Sequence, residues 1–324
     1  MRVRLGLLFA AMAVFAPAVA TAQGARYAVV VQGASGEPQY ATLHRSWVDA
    51  LSVVLRDRLK IASDHISLLT ETPKEGELRG TAENVRAVLA RLAKETKADD
   101  LVFLMLIGHG SGDAAAAKFN LIGPDLTAVE WSGLLQPIAA RAVVVNSTSS
   151  SFPFLAGLSA KNRVVITATN SFSQRYHTVF PNAFIQALQA SEADADKNGR
   201  ISVLEAFTHA ASLVALHYKQ DGDRLSTETA ILDDTGDGKG RTAAAAGDDG
   251  VVAGLTYLDV IAAPASADPE VQQLLIRQQA LSEQIDELRR RRPTISVEEF
   301  DREFEKLIVE LSLVSRDVRK RQGR

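Results

Sequence analysis

"LVFLMLIGHG", residues 101–110, runs through seven apolar side chains without a polar interruption and stops in a glycine-histidine-glycine turn. A continuous apolar segment of this length suits a strand covered on both faces, the usual state of a central strand in a parallel sheet. The flanking segments agree. "ARYAVVVQGASG" (25–36) reads as a strand running into a glycine turn, and "SWVDALSVVLRDRLK" (46–60) follows with Trp47, Leu51, Val54 and Leu55 at helical spacing. "HISLLT" (65–70) is a short strand and "TAENVRAVLARLAKE" (81–95) a helix capped by Thr81. Downstream, "LTAVEWSGLLQPI" (126–138) is a helix that leads to two more strands, "RAVVVN" (141–146) and "NRVVITAT" (162–169). Strands alternating with helices predict an α/β fold, a mostly parallel sheet with helices on both faces.

Beyond residue 170 the alternation loosens. "FPNAFIQALQA" (180–190) and "SVLEAFTHAASLVALHY" (202–218) are helices flanking an acidic loop. "TETAILDDTGDGKG" (227–240) leads into an alanine- and glycine-rich stretch, and "VVAGLTYLDVI" (251–261) has the composition of a closing strand. After the linker "AAPASADPE" (262–270) the pattern changes to a three-four spacing of Val271, Leu274, Leu281, Ile285 and Leu288, with Gln278 in the seam. Phe300, Phe304, Leu307, Leu311, Val314 and Val318 continue it after a break at "RRRRP", where Ser296 and Glu299 form a capping box. Residues 263–324 therefore read as a coiled-coil-like α-helical hairpin appended to a main domain over 23–262.

The chain starts with Arg2 and Arg4, a short apolar core, and a small-residue cleavage pattern at Ala20-Thr21-Ala22, which together read as a signal peptide over 1–22. The expected location is outside the cytoplasm, periplasmic or secreted. No later segment is long and apolar enough to span a bilayer. Formal charge is −3 over the chain, and −5 once Arg2 and Arg4 leave with the signal, so no nucleic-acid partner is expected. Cysteine is absent, which excludes both disulfides and thiol chemistry.

In a parallel sheet, chemistry gathers beyond the carboxyl ends of the strands. Two strand ends carry suggestive side chains: His109 in "GHG", and the hydroxyl cluster Ser147, Thr148, Ser149, Ser150, Ser151 after "AVVVN". In the order and spacing of these motifs the chain resembles the caspase-like cysteine peptidases, especially the legumain family. There, one apolar strand ends in His-Gly and the next in an acidic residue, a small residue and the catalytic cysteine. The resemblance covers about residues 25–240 and implies a caspase-like fold. It places His109 at the catalytic histidine, Thr148 at the missing cysteine and Ser150 at the following serine, with the N–H groups of Gly110 and Thr148 as an oxyanion site. The family's basic substrate-binding residue has no clear match here, and Arg45 meets it only in a shifted alignment.

An alcohol must lose its proton to a base during attack, whereas a thiol is partly ionised at neutral pH. The expectation is therefore an inactive pseudo-peptidase that binds peptides or proteins. Two alternatives stay open: a hydrolase using His109 with Thr148 or a neighbouring serine, and hydroxyls that merely satisfy backbone groups at a strand end.

"DADKNGRISVLE" (194–205) fits an EF-hand-like calcium loop throughout. Asp194, Asp196 and Asn198 stand at positions one, three and five, and Gly199 makes the turn. Arg200 offers its carbonyl, Ser202 is at position nine, and Glu205 supplies the bidentate carboxylate at twelve. A single such loop predicts a structural calcium ion, or a self-capped acidic turn. "DDTGDGKG" lacks the terminal acid and reads first as a solvated turn, then as a second cation site. His44, His65, His177, His209 and His217 show no metal-ligand spacing. The hairpin over 268–324 is expected to engage a protein partner, unless it fills its own seam.

Overall fold

The computed structural model describes residues 24–112, 116–220, 226–245, 247–260, 266, 268–292 and 295–321, so the predicted signal peptide lies outside the described residues. The chain enters through β1 (Arg26–Gln32), turns at Gly36 with φ +76°, and forms α1 (Pro38–Val53). Proline in its first turn, with φ already helical, lets α1 begin well before the Trp47 pattern. A π-helical turn over Val54–Arg58 extends it. β2 (Ile66–Thr70), β3 (Leu78–Arg79) and α2 (Ala82–Glu95) follow, the last capped by Thr81 Oγ1, which accepts from the Asn84 N–H.

β4 (Leu101–Ile107) is buried along its whole length, as its unbroken apolar run requires. A small antiparallel sheet comes next, made of β5 (Gly110–Ser111), β6 (Lys118–Phe119) and β7 (Leu126–Thr127). α3 (Ala128–Leu135) opens with a Thr127–Glu130 capping box, and β8 (Arg141–Asn146), α4 (Phe152–Leu158) and β9 (Arg163–Thr167) complete the parallel part. α5 (Phe180–Ala187), α6 (Val203–Gln220), β10 (Ile231–Asp233), β11 (Arg241–Thr242) and α7 (Val251–Gly254) close the domain.

The main sheet has the order β11-β10-β9-β8-β4-β1-β2-β3, parallel from β9 to β3, with β10 and β11 antiparallel at one edge. Alternate residues feed two cores. Val30, Phe103, Met105, Val143, Val145 and Ile166 pack with α1, α5 and α6, whereas Val31, Leu104, Leu106, Val144 and Val165 pack with α2, α3 and α4. The chain first builds outward from β1 to β3, then returns to the other side of β1 with β4. That reversal places the topological switch point between β1 and β4, beyond whose carboxyl ends ligands usually bind in such sheets. The His-Gly strand β4 lies directly beside β8, which ends in the hydroxyl cluster, in the arrangement expected of a caspase-like fold.

The closing segment departs from its strand expectation. Asp234 accepts from the Gly250 and Ala253 N–H groups and so nucleates the short helix α7, and among the described residues of the segment the strand pairing is reduced to a bridge between Tyr257 and Ser202. Asp233 and Asp234 are buried rather than solvated. After them, α8 (Pro269–Arg291) and α9 (Val297–Arg321) pair as the predicted hairpin, with Val271, Leu281, Ile285, Leu288, Phe300 and Val318 buried. Gln278 Nε2 donates to Ser315 Oγ at 2.9 Å across the seam, so the hairpin fills it itself. Among the described residues no helix is long and apolar enough to cross a membrane.

Candidate functional site

Three strand ends and one helix build the site. β4 stops at Gly108, whose φ of +146° few residues other than glycine adopt, and this bend carries His109 off the sheet. Gly110 must also lack a side chain, because a Cβ there would lie 2.3 Å from the Ser149 carbonyl oxygen. The turn after β4 is thereby pressed against the hydroxyl cluster after β8, and the Gly110 N–H points at Ser149 Oγ across 3.5 Å.

The hydroxyls are engaged in holding that junction. Ser147 Oγ donates to the Leu106 carbonyl at 2.6 Å, and Ser151 Oγ accepts from the Thr169 N–H. Thr148, fully buried, donates from Oγ1 to Asn146 Oδ1 at 2.7 Å. Its N–H turns to the same oxygen at 3.2 Å instead of facing a vacant oxyanion position. Ser150 sits in the left-handed region with φ +53° and is anchored by its N–H to the Gln174 carbonyl. Among the described residues no hydrogen bond joins His109 to Thr148 or Ser150.

His109 faces elsewhere. Its ring bonds to the Ser35 backbone and lies 4.9 Å from Tyr40, 5.2 Å from His44 and 5.9 Å from His177, between ring centres. Tyr40, His44 and Trp47 share one face of α1 through their i, i+4, i+7 spacing. Trp47 stacks on His177 at 5.6 Å. His177 ends the loop between β9 and α5 and is fixed on its far side, where Thr178 Oγ1 donates to the Ser147 carbonyl and the Val179 N–H donates to Glu228. The sequence alone did not bring these three histidines together; only the topology does.

Burial disfavours charge on all three rings. It is the main cause that pushes His44 down to about 3 and His177 down to about 4, with mutual repulsion adding to it, and His109 is lowered as well. The rings are neutral at neutral pH. Arg45 is no substrate anchor: it forks onto Glu77 at 2.6 and 2.7 Å and reaches Asp49 at 2.6 Å, tying α1 to the segment before β3. Its guanidinium is the leading cause that holds Glu77 down at about 2.

The acidic loop stands apart, before α6. The carboxylates of Asp194, Asp196 and Glu205 bring oxygens within 4.8 Å of one another. Asp194 also accepts from the Asn198 and Gly199 N–H groups, and Gly199 has the positive φ (+85°) that the turn needs. Glu205 accepts from Ser202 while Ser202 Oγ accepts from the Glu205 N–H, a capping box that starts the helix. The Arg200 side chain is held by Asp259 at 2.7 Å and by the Tyr257 ring at 3.9 Å, which leaves its carbonyl to the loop. The "DDTGDGKG" acids differ, since Asp233 and Asp234 are already saturated with protein donors.

The crevice between the domain and α8, lined by Arg26, Asp100, Arg141, Arg200 and Glu287, opens at the amino ends of β1, β4 and β8. It is at the opposite end of the sheet from the histidines.

No protein-family model and no curated protein matches the chain. Among solved structures it is similar to Raptor from Chaetomium thermophilum, at 12% identity and a TM-score of 0.34, over 51% of this chain and 17% of that one. It is also similar to iotapain, a secreted C11 cysteine protease from Bacteroides thetaiotaomicron, at 12% identity and a TM-score of 0.38. That likeness covers 64% of this chain and 66% of the protease.

Proposed function

We propose that this chain is an exported, non-catalytic caspase-like domain of the legumain type that binds an extended peptide or a protein segment at the carboxyl end of its sheet. One observation carries the reading: the residue at the nucleophile position, Thr148, is fully buried and spends its hydroxyl proton on Asn146, while His109 turns toward Tyr40, His44 and His177. An alcohol nucleophile needs a base within about 3 Å, and this site offers none to it. Binding has support of its own. Phe172 and Tyr176, 46% and 69% exposed on the loop that carries His177, are aromatic anchors of the kind that dominate interface energetics. Although the hairpin fills its own seam, its outward side keeps Val297, Val309 and Leu313 exposed and offers a second surface for a protein partner.

A peptide-library assay, with Thr148→Ala and His109→Ala beside the wild type, tests the first part. No turnover is expected in any of the three proteins. Cleavage by the wild type that vanishes in both variants would establish the hydrolase instead. Pull-downs with the full chain and with residues 268–324 deleted test the second, where an identical partner set would remove the hairpin from the reading.

The acidic loop is proposed as a structural calcium site, with Asp194, Asp196, Asn198, the Arg200 carbonyl, Ser202 and Glu205 as donors. The support is the convergence of the three carboxylates on one point and the helix on either side of the loop. A calorimetric titration is expected to give one weak site, with a dissociation constant of about 10⁻⁴ to 10⁻³ M. Glu205→Gln removes the bidentate ligand and should weaken it by roughly tenfold or more. Equal heats in both proteins would reduce the loop to a capping turn.

A further inference from the structure

The three histidines at the strand ends leave more nitrogen lone pairs than the protein uses. His44 is fully buried, and its Nε2 has no hydrogen-bond partner. Both nitrogens of His177 are buried and equally without one. A buried polar atom left unpaired costs about 1–3 kcal/mol, so three of them in one cluster call for a ligand. One nitrogen from each of His44, His109 and His177 can be chosen so that all three lie within 4.8 Å of one another.

We propose that His44, His109 and His177 form a tris-imidazole site for one divalent first-row transition metal, Zn²⁺ above all, with the fourth coordination position left to water.

The donor set selects the ion class. Calcium and magnesium require oxygen ligands, and among the described residues no carboxylate joins this cluster, whereas neutral imidazole suits zinc and its neighbours. Three protein nitrogens plus an open position is an established coordination pattern for zinc. Zinc–nitrogen bonds of about 2.0–2.1 Å put tetrahedral ligand atoms roughly 3.3 Å apart, so binding closes the separations between the ring nitrogens by up to about 1.5 Å.

The surroundings have the features of an outer shell that orients ligands. Ser35 Oγ lies 3.5 Å from His44 Nδ1, on the side away from the orphaned Nε2, and the Ser35 backbone holds one nitrogen of His109. Trp47 and Tyr40 wall the cluster with aromatic surface, Tyr40 lying 4.7 Å from the His177 ring. Metal ligation would also explain why His109 is turned away from Thr148, although the site stands whether or not the chain cleaves peptides.

The test uses the full chain, stripped with a chelator and titrated with Co²⁺ and then with Zn²⁺. One equivalent of Co²⁺ should develop the visible d–d absorption of a four- or five-coordinate ion, and Zn²⁺ should bleach it with a dissociation constant of about 1 µM or tighter. Excess Ca²⁺ should displace neither metal, which separates this site from the acidic loop. His177→Ala, at a half-buried position, and His109→Ala should each weaken Zn²⁺ by about 100-fold or more, and the exposed His217→Ala should not. His44 is deep in the core, so His44→Gln replaces alanine there, with circular dichroism as the check on folding. Absence of a stoichiometric Co²⁺ spectrum in the wild type would overturn the proposal. So would binding that survives both His177→Ala and His109→Ala.

Discussion

Asp233→Ala is expected to lose about 3–5 kcal/mol of unfolding free energy, because it strips the acceptor from five donors at once. Asp233 closes β10, is 1% exposed, and receives the Thr235 and Gly236 N–H groups and the Thr235 hydroxyl on Oδ1. Oδ2 accepts from Ser159 Oγ at 2.6 Å and from the Gly238 N–H at 2.9 Å. The donors come from both sides of a tight junction, where a Cβ on Gly236 would lie 2.8 Å from the Ala160 carbonyl carbon. Water has little room to replace the carboxylate. Asp233→Asn should cost about half as much. It keeps Oδ1, and Ser159 Oγ, already 2.9 Å from the Gly238 N–H, can accept the amide proton. Urea denaturation followed by circular dichroism reads both values. An alanine variant within 1 kcal/mol of wild type, a small change on the usual scale of buried-site mutations, would show that the junction does not depend on the acid.

The same residue shows where the sequence was silent. "DDTGDGKG" has the composition of a solvated turn, and nothing in its spacing reveals that Ser159, from a loop more than seventy residues earlier, donates to it. Local pattern reports local structure well. The β4 run, the Thr81 cap and the Ser296 cap of the second hairpin helix were all legible, because each depends on residues a few positions apart. Adjacency of β4 and β8 was also legible, since a right-handed crossover leaves few other places for the next strand. The segment 251–261 was misread because its apolar composition suits either state, and a distant acid, Asp234, decided for helix.

The candidate site divides in the same way. The EF-hand-like loop is contiguous, so its candidate donors could be proposed from spacing alone, and the oxygens of Asp194, Asp196 and Glu205 converge. His109 and Thr148 were identified from the strand ends, but their hydrogen-bond partners were not. Asn146 takes the Thr148 proton only because the chain doubles back within two residues, a matter of dihedral angles that composition does not encode. The histidine cluster was missed outright. His44, His109 and His177 lie more than sixty residues apart from one to the next, far beyond the short spacings by which metal ligands are recognised. One signal was present and local: Tyr40, His44 and Trp47 put an imidazole between two aromatics on the α1 face that follows the first strand. In a sheet whose strand order reverses beside β1, that face meets the end of β4 at the switch point, where Tyr40 lies against His109.

Glu228, which steadies the chain next to His177, should contribute stability that is lost as pH rises from 5 to 8, against the buried His44 and His177, whose lowered values add stability over the same rise in wild type and variant alike. It is 2% exposed, and three donors converge on it: the Val179 and Phe180 N–H groups at 2.7 and 3.2 Å and the Tyr218 hydroxyl at 3.1 Å. Those donors favour the anion, but burial opposes it more strongly and pushes the carboxyl up to about 7 from an ordinary 4.5. Among the described residues, burial and hydrogen bonds alone account for the shift. Tyr218 Oη, 2.8 Å from Thr227 Oγ1, can donate there and accept the carboxyl proton instead. Because the folded state holds this proton more tightly than the unfolded chain, the contribution is full below about 4.5 and is lost as pH passes through about 7. Complete loss corresponds to about 3 kcal/mol. Glu77, held down at about 2, is ionised throughout this window and adds no slope. Glu228→Gln cannot ionise, so the stability difference between the two proteins should change by about 2–3 kcal/mol between pH 5 and 8, with the wild type losing ground as pH rises. Parallel pH profiles would mean that Glu228 carries the same charge in the folded and unfolded states across the window, and that its three donors outweigh burial after all.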